Sequence, residues 1–137
     1  MRGSGPRRND TRNIKIGARG MGQGSSKNIK FTKAVATGND FIIIDNRKNQ
    51  LENNISGLAV KLCNRKNGIG ADGLLLVEKS GKADFKMRVF NPDGSEAEMC
   101  GNGSRCIALY AGVHKIAAYE MSIETAAGVI NAGVNQE

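Results

Sequence analysis

The sequence predicts a single mixed α+β domain, and three observations support this prediction. Short apolar runs typical of buried strands alternate with two stretches that have helical apolar spacing. Turn-forming Gly, Asn and Asp residues separate neighbouring strands, so antiparallel hairpins are expected. The chain has 137 residues, enough for one domain. The predicted order is β-β-α-β-β-α-β-β, which differs from a doubly wound sheet.

The first half of the domain supplies a hairpin, a helix and a strand. Residues 30–33 and 41–45 flank a Gly-Asn turn, and FIIID at 41–45 has the β-branched, apolar composition of a buried strand. Ser56 is a candidate N-cap for a helix over GLAVKLCN at 57–64, whose apolar side chains form one stripe and whose exit begins at Asn64. GIGADG at 68–73 predicts a tight loop, and the LLLVE that follows it predicts a second buried strand.

The second half is predicted to contain further strands and a second helix, without an internal sequence repeat. In ADFKMRVFN at 83–91, apolar residues at 85, 87 and 89 alternate with polar residues at 86 and 88, which predicts a half-buried strand. NPDG at 91–94 is a strong turn signal, and EAEM at 96–99 is either a short strand or an extended segment. We expect a helix from Gly101 to about Ile116, followed by a hairpin over 121–134.

The positive charge is confined to the beginning of the chain. The formal net charge is +7, and residues 1–30 hold eight Lys and Arg against one acid, whereas residues 31–137 are balanced. Residues 1–28 are rich in Gly, Arg, Ser and Asn without apolar periodicity, which predicts a disordered basic leader, either vector-derived or natural. Nucleic-acid binding is disfavoured because the segment has no interleaved aromatic residues for base stacking.

The cysteines and the lack of long apolar segments bound the setting. No run approaches the length of a membrane span, and the first residues lack the apolar segment of a secretory signal. The odd cysteine count then predicts reduced thiols in the cytoplasm, with Cys63 and Cys106 in the core. A metal site is not expected, because the Cys100–Cys106 spacing is unusual for ligands and His114 is the one histidine. We expect that histidine to lie at the surface or to cap a helix.

The segment MCGNGSRC at 99–106 is the strongest candidate for a site. Cys100 precedes two glycines at the predicted start of a helix, where unpaired N–H groups and the helix dipole stabilise a thiolate and attract a carboxylate. Asn102 adds a side-chain hydrogen-bonding group. One turn can therefore hold an anionic substrate and the base that acts on it. The alternative is that Cys100 is a small buried hydrophobic residue.

The segments GNDF, FNPDGSE and MCGNGSRC, in this order, resemble the N-terminal half of diaminopimelate epimerases from about Ile29 to the end. The resemblance implies a domain over 29–137 with a small, mostly antiparallel, barrel-like sheet around a central helix. It also implies a cofactor-independent isomerase that converts LL-diaminopimelate to the meso form, a precursor of lysine and peptidoglycan. In that family two cysteines on opposite faces of the α-carbon remove and return its proton.

The resemblance also assigns roles to individual residues. Cys100 corresponds to the catalytic cysteine of the first half. Asn39 and Asn91 correspond to residues that hold the substrate. Gly101 and Asn102 correspond to the turn that binds its carboxylate. No metal ligand is implied.

Two departures from the family leave several interpretations open. Gly73 stands where many members have Gln, and the sequence ends at Glu137, before the second half and its own cysteine. The chain is then a truncated half that is inactive alone, or an enzyme that pairs with itself so that two copies of Cys100 face each other. The alternative is a non-catalytic module that binds carboxylates or amino acids, or an interaction protein with a basic tail. The expected partners are diaminopimelate and a missing second domain or second copy, with no membrane and no nucleic acid.

Overall fold

The computed structural model describes residues 6–17, 26–51 and 54–134. Within this part of the chain there are eight strands and two helices. In chain order they are β1 Pro6–Gly17, β2 Ser26–Ala36, β3 Asn39–Asp45, α1 Ile55–Cys63, β4 Gly73–Glu78, β5 Phe85–Phe90, β6 Glu96–Ala97, α2 Gly101–Val113, β7 Glu120–Thr125 and β8 Gly128–Gly133.

All the described strands belong to one sheet. The strand order is β1-β2-β3-β4-β5-β7-β8, and β6 pairs with β5 beside this path. The pairs β3–β4 and β5–β7 are parallel, and the others are antiparallel. A parallel pair needs a crossover connection, and α1 and α2 supply the two that this sheet requires. The predicted mixed, mostly antiparallel α+β fold is confirmed.

The central strands are buried on both faces, which explains their continuous apolar sequences. In β3 and β4, Ile43 and Leu75 belong to the cluster that packs around α2. The neighbouring Ile42 and Leu74 belong to the cluster under α1. Because successive side chains of a strand point to opposite faces, a strand covered on both sides needs an apolar residue at every position.

Helix α2 is the central helix around which the sheet wraps. Its residues Cys106, Ile107 and Ala111 have no exposed surface. The helix contacts strands β1 to β5 and also β8. Strands β1 and β8 lie at opposite ends of the strand order. A sheet can bring both of its ends to one helix only by curling around it. The barrel-like arrangement that the resemblance implied is therefore present.

The structure differs from the sequence prediction at the beginning of the chain. The sequence predicted a disordered leader over 1–28, whereas Pro6–Gly17 pairs with β2 as an antiparallel strand. The edge of β2 offers unpaired backbone groups to a neighbouring strand, and the Ile-Lys-Ile sequence at 14–16 has strand periodicity. Residues 1–5 and 18–25 lie outside the described residues. The domain boundary placed after this leader stays a prediction.

The helix caps were predicted with mixed success. Ser56 is not the N-cap of α1, because the Oδ1 of Asn54 accepts the N–H of Gly57 at 3.0 Å. Ser56 instead donates from Oγ to the carbonyl of Gly94 at 2.8 Å, which ties α1 to the turn after β5. His114 is the C-cap of α2, as one of the two predictions for it stated.

Candidate functional site

The sequence-predicted residues Asn39 and Asn91 lie at the same edge of the sheet. Asn39 is the first residue of β3, and Asn91 directly follows β5. The register of β3 with β4, and of β4 with β5, brings the start of β3, the start of β4 and the end of β5 together. This edge therefore collects residues that are far apart in the sequence.

A tight hairpin turn fixes the position of Asn39. Ala36 pairs with Asn39, so the turn between β2 and β3 contains only Thr37 and Gly38. Their φ angles are +48° and +84°, the left-handed values of a type I′ turn. A β-branched residue rarely adopts a positive φ, so Thr37 holds backbone strain directly beside the site edge.

Cys100 is the N-cap residue of α2. Its Sγ accepts the backbone N–H of Gly103 at 3.4 Å, and its carbonyl accepts the N–H of Ser104 at 2.8 Å. The sulfur thus takes the place of the oxygen that a Ser or Asp provides at other N-caps. It lies at the positive end of the helix dipole, as the sequence predicted.

Cys100 also differs from the other two cysteines in exposure. It is half-buried, whereas Cys63 and Cys106 are buried in the two clusters. Burial raises the pKa of Cys63 to about 11 and that of Cys106 to about 12.

The backbone N–H groups of Gly101 and Asn102 donate to no described residue, so they remain available to an anion.

Side-chain hydrogen bonds join the start of α2 to the hairpin and to the loop before β4. The Nδ2 of Asn102 donates to the Oδ1 of Asn39 at 2.6 Å. The Nδ2 of Asn39 donates in turn to the Oδ2 of Asp72 at 3.1 Å. The structure therefore brings Asn39 and Asn102, two predicted site residues, into direct contact.

A group of four charged residues supports this chain of hydrogen bonds. The guanidinium of Arg65 contacts both oxygens of Asp40, at 2.8 and 3.1 Å, and the Oδ1 of Asp72 at 3.1 Å. Lys33 lies 3.2 Å from Asp40. The hydrogen bond from Arg65, helped by Lys33, holds the pKa of the Asp40 carboxyl well below its usual range.

These four charged residues were not predicted as site residues from the sequence. Each of the two aspartates stands two positions after a glycine, in GND and GAD, and the arginine stands at the exit of a predicted helix. Each signal is weak alone, because a charged residue beside a glycine turn is common at protein surfaces.

Asn91 is held by its own turn. Its Nδ2 donates to the Oγ of Ser95 at 3.0 Å, and its backbone N–H donates to the Ser95 carbonyl at 2.8 Å. The Oδ1 of Asp93 accepts hydrogen bonds from the backbone N–H and from the hydroxyl of Ser95. Gly94 completes the turn with a φ of +92°. Asn91 thus shares the sheet edge with Asn39 without joining the hydrogen bonds that lead to Asn102.

Gly73, the position of the departure from the family pattern, is closely surrounded. A Cβ at this position would lie 3.2 Å from the carbonyl oxygen of Phe90 and 3.3 Å from the ring of Phe41. The position is buried, so a longer side chain requires its neighbours to shift. The two strands that flank β4, β3 and β5, therefore leave little room beside the glycine that this chain has.

Other features of the described residues do not coincide with this site. A surface depression of about 500 Å³, bordered by Asp84, Ser122 and Asn131, contains none of the predicted site residues. Among residues 6–17, 26–51 and 54–134, no helix is long and apolar enough to cross a membrane.

Comparison with known proteins identifies relatives of this chain. A family model described as diaminopimelate epimerase matches residues 31–137. The diaminopimelate epimerase of Carboxydothermus hydrogenoformans is 51% identical over 105 residues, which cover 74% of this chain and 38% of the relative. That of Caldanaerobacter subterraneus subsp. tengcongensis is 57% identical over 103 residues, which cover 74% of this chain and 36% of the relative. The chain thus spans less than two fifths of the length of these relatives.

Solved structures share the fold at low sequence identity. A phenazine biosynthesis protein of the PhzF family from Enterococcus faecalis has a TM-score of 0.58 at 13% identity, covering 98% of this chain and 42% of that one. A PhzF-family protein from Bacillus anthracis has a TM-score of 0.57 at 23% identity, covering 95% and 38%. These similarities concern the fold of the chain alone.

Proposed function

Since the chain belongs to the diaminopimelate epimerase family, we propose that it carries the Cys100 half of a site that inverts an amino-acid α-carbon. The proposed substrate is LL-diaminopimelate and the proposed product is the meso form. The observation that supports this proposal most strongly is the position of Cys100. A half-buried thiol caps a helix whose next two backbone N–H groups are unpaired among the described residues.

The carboxylate of the substrate binds at the start of α2. The N–H groups of Gly101 and Asn102 point from a helix N-terminus, where an anion is stabilised by hydrogen bonds and by the helix dipole. Removal of the α-proton increases the negative charge on this carboxylate. Donors that are already in place stabilise that charge in the transition state without reorganising. The reaction as proposed requires no cofactor.

The proton steps need one group on each face of the α-carbon. The thiolate of Cys100 takes the α-proton, the C–H bond breaks, and its electron pair is delocalised into the carboxylate. An acid on the opposite face returns a proton, which inverts the centre. Cys63 and Cys106 are buried, so neither serves as that acid. We propose that the second group comes from a further domain, and that this chain alone does not turn over; pairing of two copies is the alternative.

The proposal is tested with a chimera in which this chain replaces the matching 105 residues of the Carboxydothermus hydrogenoformans relative. Loss of the substrate α-proton signal in deuterated water is followed by NMR. We expect exchange by the chimera, none after Cys100→Ala, and retained exchange after Cys106→Ala, the matched control in the core. Circular dichroism checks that each variant is folded.

The same assay separates the alternatives. Exchange by the isolated chain that rises with its concentration and disappears in Cys100→Ala would indicate pairing of two copies. A folded chimera that binds diaminopimelate but exchanges no proton contradicts the epimerase proposal and favours a non-catalytic carboxylate-binding module. In that module, Asn39→Ala and Asn91→Ala weaken binding while Cys100→Ala does not.

A further inference from the structure

Two hydrogen bonds lead from Asp72 through Asn39 to Asn102. Asp72 alone determines which group donates in each of them. A carboxylate accepts hydrogen bonds and cannot donate them, whereas an asparagine amide can turn either its oxygen or its NH2 group toward a neighbour. Because Asp72 accepts, Asn39 must turn its Nδ2 toward it. The Oδ1 of Asn39 then faces the start of α2, and Asn102 must present its own Nδ2.

We propose that Asp72 is a positioning residue whose carboxylate fixes the amide orientation of Asn39 and, through it, that of Asn102. This inference rests on the proposed function, because those two asparagines are proposed to hold the substrate. Without the carboxylate each amide is free to rotate by half a turn and exchange its donor and acceptor. With the carboxylate in place, a substrate meets a single arrangement of donors and acceptors.

The carboxylate of Asp72 accepts hydrogen bonds from three donors. Arg65 donates to its Oδ1 at 3.1 Å, which leaves the Oδ2 for Asn39. The backbone N–H of Asp40 also donates to this Oδ2 at 3.1 Å. The backbone N–H of Asp72 is bonded to the Asp40 carbonyl at 2.8 Å, so the residue cannot rotate away from β3 without breaking this pair.

The chain offers a closely matched control for this inference. Asp72 and Asp84 are both exposed, and each accepts a backbone N–H from a neighbouring strand, that of Asp40 and that of Ser122. Asp84 precedes β5, whereas the site edge lies where β5 ends. The variants Asp72→Asn and Asp84→Asn therefore remove the same charge from opposite ends of the sheet.

The first measurement is the 15N–1H spectrum of the Asn102 side-chain amide in the full chain without substrate. We expect Asp72→Asn to move both amide signals toward the positions of solvated asparagines and Asp84→Asn to leave them in place. Asn39→Ala should move them similarly, and the double variant Asp72→Asn/Asn39→Ala should move them no further. A general loss of structure would instead shift backbone signals throughout the sheet. Unchanged Asn102 signals in Asp72→Asn, or additive shifts in the double variant, would overturn the proposal.

The second measurement is the affinity of the chain for diaminopimelate. We expect about fivefold weaker binding in Asp72→Asn and no change in Asp84→Asn, as for the loss of one ordering hydrogen bond. Equal weakening in both variants would assign Asp72 a general electrostatic effect and overturn its positioning role. The amide spectra need no ligand, so they judge this inference even if the proton-exchange assay contradicts the proposed function.

Discussion

The side chains of Asn102 and Asn39, 63 positions apart in the sequence, are joined by a hydrogen bond of 2.6 Å. The bond connects the first turn of α2 to the hairpin between β2 and β3. It places Cys100, the N-cap of α2, in a fixed relation to the sheet edge. The stability of the fold and the geometry of the proposed site are therefore linked through these two side chains.

This link should be measurable as a coupling energy. We expect Asn39→Ala and Asn102→Ala each to lower the free energy of unfolding, and the double variant to lose about 1 kcal/mol less than the sum. Denaturant unfolding of the four proteins gives this value. As a control, Asn67→Ala, at an exposed position of the turn after α1, should combine additively with Asn102→Ala. Additive losses for the Asn39 and Asn102 pair would contradict the link.

The three cysteines should react with iodoacetamide at different rates. At pH 8 we expect Cys100 to be modified at least about tenfold faster than Cys63 or Cys106, because local opening must expose the buried thiols first. The raised pKa values of the two buried thiols also keep them protonated at this pH. Mass spectrometry of digested samples gives the rates. All three should react alike in denaturant, and similar rates in the native protein would remove the distinction drawn for Cys100.

The fold should lose stability at alkaline pH. Burial raises the pKa of Cys106 from 9.0 to about 12 and that of Cys63 to about 11, so these thiols stay protonated in the folded state. In the unfolded chain these thiols ionise from about pH 9. Ionisation favours the unfolded state, so the free energy of unfolding decreases progressively as the pH rises from 9 toward 12. In Cys106→Ala the decline above pH 9 should be less steep. Urea unfolding at several pH values measures the slope, and an unchanged slope would count against this assignment.

Acid stability should depend on Arg65. The pKa of Asp40 is lowered from 3.8 chiefly by its hydrogen bond with Arg65. The ionised carboxylate therefore contributes to the free energy of unfolding above pH 3.8, and this contribution is lost as the pH falls below that value. Arg65→Gln should therefore lower stability at neutral pH and leave a smaller further loss in acid. Lys66→Gln removes the same charge from the next residue, which is also exposed, and should leave the acid transition unchanged. If both variants behave alike, the ion pair is not the cause.

Two glycines in the first turn of α2 should respond differently to alanine. A Cβ at Gly103 would lie 3.1 Å from the Cδ2 of Leu75 and 3.5 Å from the Sγ of Cys100, whereas a Cβ at Gly101 meets nothing within 4 Å. We expect Gly103→Ala to be less stable than Gly101→Ala by about 1 kcal/mol, since both gain helix propensity but only one must displace its neighbours. Thermal unfolding compares them, and equal midpoints would show that Leu75 moves freely.

Much of the architecture is determined by patterns that act over a few residues. The continuous apolar sequences of β3 and β4 predicted buried strands, and the structure shows that both of their faces are covered, so that every side chain meets a packed cluster. The alternation in β5 predicted one polar face, and the Cys-Gly-Asn-Gly sequence at 100–103 predicted where α2 begins. The N-cap of α1 was predicted at Ser56 because Ser and Asn are similar capping residues, and only the structure shows which one accepts the Gly57 N–H.

The sequence by itself determined the fold class, the helix that begins beside Cys100 and the family to which the chain belongs, since local periodicity and ordered motifs encode them. The tertiary structure decided which distant residues meet at that helix. Asp72 reaches Asn39 because β4 lies beside β3 in parallel, and Asn39 reaches Asn102 because the sheet curls around α2. Strand register and helix packing depend on the whole core, so no local sequence pattern specifies these contacts.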